Sequence, residues 1–129
     1  MTTTITTSSR NVALATSRIV AGLLGAMQLS GAVYFVLIAP GEAVWVGPWL
    51  DVPIVVLMLA GIFLKLGVAL LPGLHATRRI TMGFLAVAIG AAVTLVKVPV
   101  YDEPEGILFL VFDAALLAVL TLAWRAARH

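Results

Sequence analysis

The stretch that decides the fold is residues 53–79, PIVVLMLAGIFLKLGVALLPGLHATRR. It opens with an apolar run whose one charged residue is Lys65, and it closes with Pro72-Gly73 and two adjacent arginines. A bilayer core of roughly 30 Å needs about 20 helical residues per crossing, and the run up to Pro72 has that length. Because Pro-Gly stops a helix, the stretch predicts one membrane-spanning helix that ends at a basic loop.

In the rest of the chain, the sign of the charge differs from one connection between hydrophobic runs to the next. The chain ends and the middle connection carry the arginines, namely Arg10, Arg18, Arg78, Arg79, Arg125 and Arg128. The other two connections carry the acids, namely Glu42, Asp51, Asp102, Glu103 and Glu105. Because Arg and Lys in short loops resist translocation, this alternation predicts four crossings with both termini in the cytoplasm and the acidic loops outside.

Hydrophobic runs and Pro-Gly stops set the predicted boundaries. Four helices are expected, at about residues 12–39, 53–71, 80–98 and 106–124, after a flexible cytoplasmic tail over residues 1–11. Short connections make successive helices antiparallel neighbours, so the predicted fold is an all-α, up-down bundle of four transmembrane helices in the cell membrane. Small residues, such as Gly83, Ala86 and Gly90, form the stripes along which these helices are expected to pack.

Composition supports the membrane assignment and limits the chemistry. The 129 residues are 62% hydrophobic and 11% charged, with a mean hydropathy of +1.13, which is far more apolar than a soluble domain. The net charge of +2 comes from the predicted cytoplasmic arginines, so we expect membrane lipids and no nucleic acid as partners. The sequence has no cysteine, which excludes disulfides, thiolate metal sites and dithiol chemistry within these residues.

Lys65 is the most costly residue, because a lysine near the bilayer centre costs about 2.5 to 3.5 kcal/mol. Counted along ideal helices, it lies roughly 18 Å below the outer boundary, and Asp113 lies about 10 Å below it. A lysine side chain can cover most of that difference in depth. We therefore expect Lys65 to face Asp113 inside the bundle, with Gln28 at a similar depth to Lys65. Three interpretations stay open at this point: a lysine that snorkels to the cytoplasm, a structural clamp, and a functional polar pocket.

The outer boundary offers further candidates. Lys97 is expected there as an interface anchor or as the partner of a loop carboxylate. The acidic loops have three alternative interpretations: a solvated surface, a cation site, or the source of a general acid. The candidate catalytic residues are Asp113, Glu103 and Asp102, and the candidate pocket residues are Lys65, Gln28, Lys97 and Tyr101. No metal site is predicted, because His75 and His129 have no second ligand at a suitable spacing.

The order of features resembles the DoxX-like families of small four-helix membrane proteins. The similar parts are Arg18-Ile19-Val20-Ala21-Gly22-Leu23-Leu24, the stretch from Leu57 to Pro72, and Arg78-Arg79 before a third helix ending Ala92-Val93-Thr94-Leu95-Val96-Lys97. This resemblance covers most of the chain. It implies a four-helix fold and contact with a quinone or a redox partner, and it identifies no catalytic residue.

A second resemblance concerns the segment Pro99-Val100-Tyr101-Asp102-Glu103, followed by Phe109 and Phe112. It is similar to the Pro-x-Glu-Glu segment and nearby aromatic residues of the small membrane-bound lycopene cyclase subunits. That likeness implies proton-driven chemistry by carboxylates on an apolar substrate. The sequence departs from the pattern by an inserted Tyr101 and by Pro104.

The sequence thus predicts a DoxX-like membrane protein with a polar pocket inside its bundle. The pocket would bind a lipid-soluble small molecule, quinone-like or isoprenoid-like, or a membrane partner, and the chain could serve as an accessory subunit or form a homo-oligomer. The alternative is a membrane isomerase or cyclase that uses carboxylate acid-base chemistry. No cofactor is evident in the residues themselves, and a quinone is the candidate that the resemblance suggests.

Overall fold

The computed structural model describes residues 2–101 and 106–127, with side chains for residues 11–101 and 106–126. The helices are α1 (Thr2–Val33), α2 (Pro48–Leu70), α3 (Ala76–Val100) and α4 (Gly106–Ala127). A π-helical turn, Tyr34–Ile38, continues α1, and a 3₁₀ turn, Pro40–Glu42, follows it. No strand occurs among the described residues, so the predicted all-α bundle is confirmed.

The four helices form a ring in which each packs against its two neighbours. The pairs in contact are α1 with α2, α2 with α3, α3 with α4, and α4 with α1. Across the diagonals the backbones of α1 and α3 approach only slightly, and the backbones of the described parts of α2 and α4 do not come close. We call the end with the α1–α2 connection the outer end and the end with the α2–α3 connection the inner end.

All four helices are long and apolar enough to cross a bilayer. The candidate spans are Asn11–Ile38, Pro48–Leu70, Ala76–Val100 and Gly106–Ala126. Many of their large apolar side chains point outward; Ile19 and Leu23, for example, are each 63% exposed. In water such a surface would drive aggregation, whereas acyl chains cover it, so the four helices indicate an integral membrane protein.

The core has two apolar layers. The layer in the inner half contains Ala21, Leu24, Val68, Val87, Leu116 and Leu120. The layer near the outer end contains Ile54, Val93 and Tyr101. Close approach depends on small residues: a methyl group on Gly83 would lie 2.7 Å from the side chain of Leu120. Along α2, the buried Lys65 lies between Ile54 of the outer layer and Val68 of the inner layer, and the buried Asp113 of α4 lies one turn from Leu116 of the inner layer.

Helices α2 and α3 begin earlier than predicted, as does α1. α2 begins at Pro48 rather than Pro53, because Pro is tolerated in a first helical turn and the N–H groups of Leu50 and Asp51 bond to the carbonyl of Gly47. α3 begins at Ala76 rather than residue 80, because the His75 side chain accepts a hydrogen bond from the N–H of Thr77. Arg78 and Arg79 therefore lie in the first turn of α3 and not in a loop.

The first helix also differs from the prediction. α1 begins at Thr2, so residues predicted to form a flexible tail are helical. The segment contains neither Gly nor Pro, and adding residues to an existing helix needs no new nucleation. At its other end the helix stops before Pro40, as Pro40-Gly41 predicted.

Candidate functional site

The predicted pairing of Lys65 with Asp113 is confirmed. Lys65 Nζ lies 3.0 Å from Asp113 Oδ1, and the two side chains are 0% and 2% exposed. α2 and α4 occupy opposite corners of the ring, so this ion pair crosses the centre of the bundle. A buried charge without a partner is strongly destabilising, so each side chain holds the other in place.

Gln28 of α1 is the third member of this buried polar cluster. Lys65 Nζ donates a hydrogen bond to Gln28 Oε1 at 2.8 Å. Because the lysine can only donate, the bond fixes the orientation of the amide, with its nitrogen turned away from the ammonium group. That nitrogen donates no hydrogen bond to any residue that the structure describes. The cluster therefore has unused donor capacity on Gln28.

Gly90 of α3 provides the space for the ion pair. A methyl group at this position would lie 2.8 Å from Lys65 Nζ and 3.1 Å from Asp113 Oδ2. Any larger residue would push the two charges apart. The small residue that sequence analysis assigned to helix packing thus also admits a charged pair to the core.

Asp113 is enclosed by this arrangement. Apart from the ion pair, its carboxylate oxygens accept no hydrogen bond of good geometry from the described residues. It does not line the neighbouring cavity. These contacts suit a residue that holds Lys65 in position, and a catalytic role for Asp113 stays a prediction.

A cavity of about 250 Å³ extends from the buried polar cluster toward the outer end of the bundle. Its polar lining comprises Gln28, Asp51, Lys65, Thr94, Lys97 and Tyr101. Apolar side chains, among them Ala32, Phe35, Ile54, Met58, Ile62 and Phe109, form most of the remaining wall. Asp51 and Lys65 lie on the same helix, so the cavity runs roughly 21 Å along α2 at about 1.5 Å per residue.

Polar residues occupy both ends of this cavity. At its deep end Lys65 is 0% exposed, whereas Gln28 is half-buried, so Gln28 is the member of the cluster that a bound molecule would meet. Gly31, one turn further along α1, leaves open space into which a side chain could extend. The deep end thus combines free volume with an amide donor.

At the outer end, Asp51 connects the α1–α2 connection to α3. Its carboxylate accepts hydrogen bonds from the N–H groups of Val46 at 3.1 Å and Gly47 at 3.0 Å. It also accepts one from the Tyr101 hydroxyl at 2.5 Å. Asp51 was predicted only as one of several loop acids. Its role depends on helix α2 starting at Pro48, which the sequence analysis placed five residues too late.

The α1–α2 connection covers the outer end of the cavity. Ala43, Val44 and Trp45 all line it. The indole N–H of Trp45 bonds to the carbonyl of Pro40 at 2.8 Å, which fixes the turn. A polar anchor with an apolar face suits a tryptophan at a membrane interface.

Lys97 and Thr94 lie along the α3 wall. Lys97 Nζ lies 3.6 Å from the sulfur of Met58, and the residue lines the cavity. Its position at the outer membrane boundary stays a prediction. The Thr94 hydroxyl donates to the carbonyl of Gly90 at 2.8 Å, so its oxygen can still accept a bond. The structure thus brings all four predicted pocket residues, Lys65, Gln28, Lys97 and Tyr101, to one cavity.

Two of the predicted catalytic carboxylates, Asp102 and Glu103, lie outside the described residues, as do Glu105, Arg128 and His129. Within residues 11–101 and 106–126, no group of three His, Cys, Asp or Glu side chains could hold a metal ion. Any cation site or general acid in the α3–α4 connection stays a prediction.

Two arginines at the inner end, predicted only as part of the cytoplasmic charge, have a structural role that was not predicted. Arg79 Nη1 donates to the carbonyl of Val68, and Arg79 Nη2 donates to that of Leu71 at 2.6 Å. Arg18 of α1 donates from Nε at 3.1 Å and from Nη2 at 3.0 Å to the carbonyl of Ala69. Cations favour the negative end of a helix dipole, so Arg18 and Arg79 together cap the C-terminus of α2. The available signal was the pair Arg78-Arg79 shortly after the Pro72-Gly73 stop.

Comparison of the chain with protein-family models, curated proteins and solved structures finds no match. The geometry of the cavity and of its polar residues is therefore the basis for any functional assignment.

Proposed function

We propose that this integral membrane protein binds a lipid-soluble small molecule in the cavity between its helices. The observation that carries the proposal is the half-buried amide of Gln28, which faces free space while Lys65 and Asp113 hold it in orientation. Ligand sites combine an apolar wall with a few convergent polar groups, and this cavity has both.

The arrangement favours a ligand with an apolar body and one hydrogen-bond acceptor. The amide nitrogen of Gln28 would donate to that acceptor, and the apolar wall would contact the rest of the molecule. A carbonyl or ether oxygen on an isoprenoid-like or quinone-like compound fits these requirements. Membership of a DoxX-like family and service as an accessory subunit stay predictions beside this proposal.

Orientation in the cell membrane forms part of the proposal. The basic inner end would face the cytoplasm and the outer end, with Glu42 and Asp51, would face outward, as the asymmetry of arginines predicts. The ligand would then lie in the outer half of the bilayer.

The test is mass spectrometry of the organic extract of the purified protein. Gly31→Phe would project a ring into open space beside Gln28, so it should displace the ligand without disturbing packing. Leu23→Phe is the matched control, because Leu23 is 63% exposed on the lipid-facing side of the same helix. We expect one apolar compound with the wild type and with Leu23→Phe, and at least a severalfold loss with Gly31→Phe. A wild-type extract containing bulk phospholipid alone would refute the proposal.

The isomerase or cyclase alternative uses Asp102, Glu103 or Asp113 as the acid, with Lys65 or Gln28 to stabilise the charge. It predicts that Glu103→Gln slows turnover of an apolar substrate without altering assembly. An unchanged rate would end that alternative and leave the binding proposal intact.

A further inference from the structure

The inner end of the bundle has a second concentration of charge, separate from the cavity. Arg79 is buried, with 5% of its surface exposed, and Arg18 beside it is exposed. Lys65 and Asp113 form the single salt bridge among the described side chains, so neither arginine is paired with a described acid. Arg79 and Arg18 bind the carbonyls of the adjacent residues Val68 and Ala69, which brings the two positive charges near each other.

Helix capping uses only part of the donor capacity of these arginines. A guanidinium group has five N–H donors. Arg18 and Arg79 each direct two nitrogens at carbonyls of α2, and those bonds fix the planes of both groups. Arg78 adds a further positive charge in the same turn of α3, and none of these three arginines forms a salt bridge with an acid among the described side chains.

We infer that the phosphate group of an anionic membrane lipid binds between Arg18 and Arg79, beside the C-terminus of α2. A phosphate accepts several N–H bonds from a guanidinium fork, and it would relieve the repulsion between the two arginines. Basic pockets between membrane helices are suited to such headgroups, and a diacyl lipid would also cover the apolar surfaces of α1 and α3 above the site. Free phosphate shares the headgroup chemistry but lacks the acyl chains.

Native mass spectrometry of the full chain in micelles containing equal phosphatidylcholine and phosphatidylglycerol tests this inference. We expect the wild type to retain phosphatidylglycerol preferentially. Arg18→Gln should reduce that preference about fivefold, because one arginine near an anionic surface contributes about 1 kcal/mol. Arg125→Gln is the matched control, since it removes the same charge near the end of α4, whose backbone does not come close to that of α2.

Several outcomes would overturn the inference. They are an unchanged preference in Arg18→Gln, an equal loss in Arg125→Gln, and displacement of the lipid by inorganic phosphate at constant ionic strength. Thermal unfolding in detergent checks that Arg18→Gln is folded. If the variant does not fold, a salt series on the wild type takes the place of the mutation. Added NaCl should lower the preference for phosphatidylglycerol by screening the arginines, and a preference that salt leaves unchanged would refute the site.

Discussion

Lys65 shows how one buried charge restricts the residues that can surround it. An ammonium group among apolar helices needs an acceptor or an acid within reach of the lysine side chain. The predicted spans contain one acid, Asp113. For that reason the ion pair could be predicted from the sequence. The bond between Tyr101 and Asp51, and the bonds from Arg79 to α2, could not, because they depend on where helices begin and end, and two starts were placed four to five residues too late.

The space beside the ion pair leads to a prediction about Gly90. Gly90→Ala should destabilise the protein by about 1–3 kcal/mol, the usual cost of inserting a methyl group into a filled core. Gly31→Ala is the control, because its methyl group meets nothing within 4 Å and alanine favours a helix by about 1 kcal/mol over glycine. Unfolding in mixed detergent micelles measures both. Equal stability of the two variants would show that the pair does not need the space at Gly90.

The Tyr101 hydroxyl supports a second prediction. Tyr101→Phe removes its bond to the Asp51 carboxylate and should cost about 1.5–3 kcal/mol, the range for a hydrogen bond to a charged group. Tyr34→Phe removes a bond of similar length, 2.6 Å, to Glu42, but at an exposed site where water can replace it. It should therefore cost less in the same unfolding assay. A larger effect at Tyr34 would contradict the role assigned to Asp51.

At the scale of elements, α2 is the helix on which the bundle depends. Along its length, α2 carries Asp51 at the outer end, side chains of the cavity wall in its middle, and Lys65 at the depth of Gln28. Its C-terminus is closed by arginines from two other helices. The end predicted from Pro72-Gly73 lies within two residues of the observed end, because a Pro-Gly pair stops a helix by its own backbone geometry and needs no tertiary contact. The capping by Arg18 and Arg79 depends on tertiary packing, which local sequence signals do not contain.

The capping predicts unequal effects of two adjacent arginines. Arg79→Met should destabilise the protein by about 1.5–3 kcal/mol, because charge-assisted bonds to the Val68 and Leu71 carbonyls are lost. Arg78→Met removes the same charge from an exposed neighbour and should have a small effect. Hydrogen exchange at the last turn of α2 should rise in the Arg79 variant alone. Equal exchange in both variants would show that Arg79 does not close the helix.

At the scale of the whole molecule, the bundle is asymmetric along its axis. The inner end is basic, whereas the outer end carries Glu42, Asp51 and the mouth of the cavity. Hydrophobic length and loop charge are enough to predict four antiparallel crossings, because lipid admits few alternatives to a helix. The cavity volume could not be predicted in this way, since it depends on how closely all four helices approach one another.

The proposed orientation predicts which positions are accessible from outside the cell. The chain has no cysteine, so each engineered thiol reports without background. Gly41→Cys, where a new side chain meets nothing within 4 Å, should react with an impermeant maleimide added to intact cells. Thr3→Cys should react only after permeabilisation. The reverse pattern would show that the bundle is inserted the other way round.

The most direct measurement compares stability and ligand retention in the double variant Lys65→Met, Asp113→Leu. Each single change leaves a buried charge without its partner and should cost about 3–5 kcal/mol, whereas the double change should restore most of that stability. We predict that the folded double variant co-purifies with severalfold less of the apolar ligand than the wild type, because the amide of Gln28 is no longer held in orientation. A stable double variant that retains the ligand in full would contradict the account.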